Sequence, residues 1–162
     1  VKEQTAPEQP ATEQPVPGPP DEQKFVSTFV QDWMTPHPYT CTPDTSLADV
    51  YDVMVEKGFR RMPVVDEEGR LVGIITFGDL RQAAPSSVTS LSLFEINYFW
   101  AKLTVKETMT PNPVTLAPDD TIKTASQHML EHKISGLPVV SGEKVVGILT
   151  QTDILRFLVS LL

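Results

Sequence analysis

The chain is short of the residues that most often carry chemistry. Its 162 residues include one cysteine, Cys41, and three histidines. A single thiol cannot close an internal disulfide, and Cys41 reads as a small strand hydrophobe. His37, His128 and His132 stand at scattered spacings without a metal-ligand pattern, so no metal is expected. The histidines read as solvent-facing, with His37 a lesser candidate for a phosphate contact. Basic residues are also few, 13 against 21 acids, for a formal net charge of −8. With no cluster of Lys and Arg, that balance argues against a phosphate-backbone binder, and no nucleic-acid partner is expected. No apolar run approaches the roughly 18 residues of a membrane span, and no signal-peptide core opens the chain. The expectation is a soluble protein of a reducing cytoplasm without a membrane partner. Walker and dinucleotide glycine loops, a Ser-His-Asp set and a tight carboxylate pair are all missing, so the chain reads as non-enzymatic and in need of no cofactor.

What the chain does have is one unit written twice. "MTPHPYTCTPDTSLADV" from Met34 returns as "MTPNPVTLAPDDTIKTA" from Met109, an offset of 75 residues. "MPVVDEEGRLVGIITFGDL" from Met62 returns as "LPVVSGEKVVGILTQTDI" from Leu137, and one residue lost in the turn reduces the offset to 74 between Asp79 and Asp153. Duplication predicts two like supersecondary units packed about a pseudo-twofold axis. Each unit reads strand, helix, strand, strand, helix, which makes the fold class α/β. In the first unit "YTCT" reads as a strand, and Ser46 with Asp49 as a capping box. Leu47, Val50, Tyr51 and Met54 follow at helical spacing until Gly58 stops the helix. "MPVV" and "LVGIIT" form a hairpin around Gly69. The second unit repeats this with Thr121 as cap, Ile122, Ala125 and Met129 inward, and the turn "SGEK". Final helices start near Asp79 and Asp153.

Residues 1–24 differ in kind, with six prolines and no aromatic residue, and read as a disordered Pro/Glu/Gln-rich tail. The first repeat with a preceding helix is placed at 25–83, a connector at 84–104 and the second repeat at 105–162. In the connector, Ser92 and Glu95 can cap a helix carrying Leu93, Phe94, Ile96, Tyr98, Phe99, Trp100 and Leu103. These are apolar nearly all round, so something must cover them, and together with "ILRFLVSLL" they predict a homodimer.

The opening "MTPxP", the mid-unit "PVV" and the closing "VGI(I/L)TxxD(L/I)", each present twice in order, resemble the CBS domain, named after cystathionine β-synthase, in its tandem-pair form, the Bateman module. The resemblance covers roughly residues 30–160. The apolar connector is similar to that of stand-alone bacterial CBS-pair proteins. The resemblance implies a regulatory ligand-sensing module that takes an adenosine-containing metabolite in clefts between the repeats. Rival readings are a structural or dimerisation module without ligand, and the regulatory region of a larger enzyme or transporter.

The two Thr-x-x-Asp sets, Thr76 with Asp79 and Thr150 with Asp153, are close to capping boxes, and capping alone explains their spacing. A carboxylate at a helix start can also accept bonds from two ribose hydroxyls while the threonine and free backbone N–H groups face phosphate. The resemblance assigns them those contacts. It further implies that Arg60 and Arg61, ahead of Met62, reach phosphate. Lys133 takes that place in the second copy, and the backbone of Ile134 and Leu137 with Thr40 and Thr115 lines the base pocket. "HKISGLPVV" is grouped with Thr150 and Asp153, and that cleft is ranked first. The spacers Phe77-Gly78 and Gln151-Thr152 lack the basic residue that many ligand-binding members carry. Of the candidates AMP, ADP, ATP and S-adenosylmethionine, this disfavours ATP relative to AMP and leaves room for the cationic one.

Overall fold

A computed structural model describes residues 22–85 and 92–162. The proposed tail therefore lies outside the described residues, except for Glu22 to Lys24, which form the first turn of a helix, α1 (Glu22–Ser27). A short 3-10 turn at Val30–Asp32 follows. The first unit then runs β1 (Thr35–Pro36), α2 (Leu47–Lys57), β2 (Arg61–Val65), β3 (Leu71–Thr76) and α3 (Phe77–Gln82). The connector helix is α4 (Leu93–Trp100). The second unit runs α5 (Val105–Thr108), β4 (Thr110–Pro111), α6 (Ile122–His132), β5 (Gly136–Ser141), β6 (Lys144–Thr150) and α7 (Gln151–Ser160).

Local signals account for these elements. Ser46 Oγ accepts the Asp49 N–H to start α2, although the reciprocal half of the expected box is not formed. Gly58 ends α2 at φ 74°, and Lys133 ends α6 at the matching place with φ 53°. A non-glycine residue in the left-handed region carries a modest strain that Gly58 does not. Gly69 and Gly142 supply the positive φ of the two hairpin turns. Ser92 and Glu95 form a reciprocal capping box at α4.

The expected strand at "YTCT" is reduced to one parallel bridge, Cys41 to Val64, and Leu116 bridges Val139 in the same way. The third strand of each sheet comes instead from the opposite unit. β1 pairs with β6, and β4 pairs with β3, so the sheets run β1-β6-β5 and β2-β3-β4. The repeated "MTP" and "VGI" motifs meet at this exchange. Met109 lies against Gly73, where an added Cβ would sit 2.6 Å from its Sδ and 3.0 Å from the Thr110 carbonyl oxygen. Met34 lies against Gly147 likewise. Glycine is needed there because another backbone passes where a side chain would be.

The hydrophobic cores follow the exchange. Leu47, Met54, Val64, Ile75 and Leu80 of the first unit pack with Trp100 from the connector helix and Val105 from beyond it. Trp100 Nε1 also donates to the Leu80 carbonyl at 3.1 Å, satisfying the indole inside an apolar cluster. Leu116, Ile122, Leu137 and Leu149 of the second unit pack with Val30, Phe25 and Trp33, and the last two rings meet Phe157 edge-on. Helix α1 and the 3-10 turn thus belong to the second core, not to the first unit that they precede. Helix α4 buries Trp100 but leaves Leu93, Phe94 and Tyr98 exposed at 70%, 82% and 62%. Its apolar surface is only partly covered within one chain. Among the described residues no helix is long and apolar enough to cross a membrane.

Candidate functional site

The cleft between the units is built where β2 and β3 of the first meet the α6–β5 junction of the second. A cavity of about 400 Å³ opens there, walled on one side by Arg61, Thr76 and Asp79 and on the other by Lys133, Ile134 and Ser135, with Val114 and Pro138 adding apolar surface. Its volume lies in the range of small-molecule sites. The β2–β3 register places Arg61 opposite Thr76, and Asp79 follows on the first turn of α3.

The Thr-x-x-Asp sets both cap their helices, as their spacing predicts, but they do not leave the same chemistry free. Asp79 Oδ2 accepts the Thr76 N–H at 2.8 Å, and Thr76 Oγ1 accepts the Asp79 N–H at 3.2 Å. Asp79 Oδ1 has no hydrogen-bond donor among the described residues and the residue lines the cavity. In the second copy Asp153 is 3% exposed. Its Oδ2 accepts from Thr150 N–H and Thr150 Oγ1 at 2.9 and 3.0 Å, and its Oδ1 accepts from Arg156 at 3.1 Å. Both oxygens of that carboxylate are used by the protein.

Arg61 crosses between the units. Its guanidinium donates to the Ser135 carbonyl at 2.9 Å and to Ser135 Oγ at 2.6 Å. It lies over Gly136, its own counterpart in the second unit, where any Cβ would collide with it. Burial, with the charge of Arg60 beside it, lowers the Arg61 pKa from the usual arginine value, yet the group stays cationic. Arg60 turns away and stacks on the Phe77 ring, 5.1 Å from its centroid.

The structure divides the sequence-derived groupings. The "HKISG" segment, placed with Thr150 and Asp153, faces Thr76 and Asp79 across the cleft, because strand exchange brings the two units together at that edge. Met62 and Leu137 are core residues, 2% and 0% exposed; it is their neighbours Arg61 and Pro138 that reach the cavity. Thr115 borders a second recess near the hairpin turns, and Thr40 borders neither cavity. Val114, Asn112 and Pro138 also line the cavity; Asn112 and Val114 follow β4 outside any strand, so no alternation in the sequence marks them.

At the pseudo-equivalent place in the first unit, Tyr39 and Phe59 stand where the open cleft has Val114 and Ile134. Their rings stack at 5.6 Å with 21° between planes, and Lys57 lies 5.5 Å over Tyr39. That position carries an aromatic pair in place of the two aliphatic side chains. Away from the cavity's acid, one ligand atom each from His128, Glu131 and His132 lies within 4.8 Å of the others. Helical geometry, invisible in a simple count of histidines, brings them together.

The CBS domain family matches residues 30–86 and 105–160. L-aspartate semialdehyde sulfurtransferase of Methanocaldococcus jannaschii is 32% identical over 134 residues, which cover 82% of this chain and 24% of that protein. The chloroplastic CBS domain-containing protein CBSX2 of Arabidopsis thaliana is 30% identical over 78% of this chain and 62% of its own length. The chain thus spans from about a quarter to under two thirds of these relatives. A crystal structure of CBSX2 in complex with AMP superimposes with a TM-score of 0.68 at 29% identity, covering 82% of this chain and 97% of that one. The CBS domain pair of protein MJ0100, in complex with 5′-methylthioadenosine and S-adenosyl-L-methionine, gives 0.69 at 31% identity, with coverage of 82% and 97%. The twofold repeat, the exchanged sheets and these matches together show that the chain belongs to the CBS domain family, as a tandem CBS pair.

Proposed function

We propose that this CBS pair is a regulatory sensor that takes one adenosine-containing metabolite, AMP-like, in the cleft walled by Arg61, Thr76, Asp79 and Lys133 to Ser135. The observation that carries the reading is the free Oδ1 of Asp79 beside an open cavity, contrasted with the fully engaged Asp153. A ribose diol donates two hydrogen bonds to such a carboxylate, and the α3 N-terminus with Thr76 is suited to the neighbouring phosphate. Arg61 and Lys133 add two cations for that phosphate. With Phe77-Gly78 as the spacer, no further cation serves a longer polyphosphate, which favours AMP over ATP. Val114, Ile134 and Pro138 offer the apolar surface that a purine needs. Complexes of AMP with CBSX2 and of S-adenosyl-L-methionine with the MJ0100 pair support adenosyl chemistry for this site.

The regulatory step follows from Arg61. Its guanidinium ties the first unit to Ser135 of the second. A phosphate that recruits the guanidinium competes with those bonds and biases the angle between units, by no more than its differential affinity for the two arrangements. The small share of the sulfurtransferase that this chain covers supports a second form of the same reading, the regulatory region of a larger enzyme.

Thermal denaturation with AMP, ADP, ATP, S-adenosylmethionine and 5′-methylthioadenosine tests the proposal. At 100 times its dissociation constant a specific ligand stabilises by about 2.7 kcal/mol. AMP is expected to give the largest shift; no shift with any adenosyl compound at millimolar concentration would leave the clefts structural.

A further inference from the structure

Helix α6 carries a second group of ligand-type side chains, distinct from Thr76 and Asp79. His128, Glu131 and His132 are at i, i+3 and i+4, so they project from one helical face. Their nearest ligand atoms lie within 4.8 Å of one another. His128 is half-buried and its Nδ1 has no hydrogen-bond partner. Its ring lies beside that of His132, with centroids 5.8 Å apart and 24° between planes. Among the described residues neither Glu131 nor His132 is held by an ion pair or a side-chain hydrogen bond, so both can turn without breaking one.

The duplication supplies an internal control. At the same three places the first unit carries Val53, Glu56 and Lys57. Val53 packs against the first core, so the fold asks for an apolar residue where the second unit has His128. Neither imidazole is needed to build the CBS unit. A partly buried imidazole with an unpartnered nitrogen is a cost that the first unit avoids.

From this we propose that His128, Glu131 and His132 form a binding site for a divalent transition-metal ion of the zinc class. Two imidazoles and one carboxylate are the donor set of an open zinc site, with water completing the coordination. Drawing the three atoms onto one ion at about 2.0 to 2.2 Å requires side-chain rotation alone, of the exposed Glu131 and His132 towards the half-buried His128. The site is on the last turn of α6, where the unpaired carbonyls favour a cation. Glu131 removes one of its two positive charges. Preference among ions follows the usual order for nitrogen-rich sites, with copper(II) above zinc and nickel, and magnesium or calcium excluded by the imidazoles. His132 also borders the adenosyl cleft, which puts the ion at the rim of that cavity, though the metal site stands without a cleft ligand.

Calorimetric titration of the whole chain with zinc chloride tests this directly. One equivalent is expected to bind, and the exchange of second-unit for first-unit residues, His128→Val with His132→Lys, is expected to abolish it. Glu131→Gln is expected to weaken binding at least as much as loss of an outer-shell partner does, about tenfold to a hundredfold. Parent and exchanged proteins binding zinc equally would overturn the proposal, as would a parent that binds none. A readout that needs no variant is nuclear magnetic resonance with substoichiometric copper(II): broadening centred on residues 128–132 is expected. Broadening centred on His37, the remaining histidine, would refute the site.

Discussion

Replacing the two equivalent acids one at a time separates a ligand-binding carboxylate from a structural one. In Asp79→Ala the protein loses one capping bond at 2.8 Å from a partly exposed group, and helix-start stabilisation of about 0.3 to 1 kcal/mol. A ribose diol would lose two bonds to a charged acceptor. At roughly 1.5 to 3 kcal/mol for a charged hydrogen bond, with some return of water, binding weakens by about 2 to 4 kcal/mol, or roughly thirtyfold to a thousandfold. Asp153→Ala reverses the pattern. That side chain accepts from Thr150 N–H, Thr150 Oγ1 and Arg156 in a buried setting. Its loss strands the partly buried Thr150 donors, Arg156 being 67% exposed, and is expected to cost about 1 to 3 kcal/mol of folding stability. AMP affinity is expected to change by less than about threefold, because no ligand bond goes with it. Urea denaturation measures the first quantity and calorimetric titration with AMP the second. An Asp79→Ala protein that binds AMP as tightly as the parent would refute the assignment, and so would a larger affinity loss in Asp153→Ala.

Gly73→Ala is expected to destabilise by about 1 to 3 kcal/mol in urea, since its Cβ would press on Met109 and on the Thr110 backbone. Adding Met109→Ala should restore only part of that, because the carbonyl remains. Cys41 is buried, and burial pushes its thiol up to about 12. Ellman's reagent at pH 8 is expected to label it only after unfolding. As its folded pKa exceeds the unfolded one, its contribution to stability is whole below pH 9 and declines as pH rises towards about 12. A Cys41→Ala protein should lack that decline. Sedimentation equilibrium at tens of micromolar is expected to show a homodimer, covering Leu93, Phe94 and Tyr98 of α4. A single species near the 17.9 kDa chain mass would contradict it.

Much of each unit is legible because its signals are local. The caps at Ser46, Ser92 and Thr121, the stop at Gly58 and the turn at Gly69 each depend on a residue's own backbone and near neighbours. The exchange of β1 and β4 is not legible in that way. Thr35–Pro36 and Thr110–Pro111 are too short for an alternating pattern, and in a duplicated sequence either partner strand offers the same "VGI" edge. For the same reason the residue types of the cleft were readable while its membership was not. "HKISG" meets Asp79 instead of Asp153 because of which unit donates each edge. The asymmetry between Val114 with Ile134 and Tyr39 with Phe59 stood in the sequence, but it had meaning only once those positions were known to face each other.

The most direct test of the central claim is a crystal structure of the protein grown with AMP. The account predicts one nucleotide per chain, its ribose hydroxyls on Asp79 and its phosphate at Thr76 with Arg61 or Lys133. A nucleotide bound instead at Thr150 and Asp153, or electron density for none at saturating AMP, would contradict it.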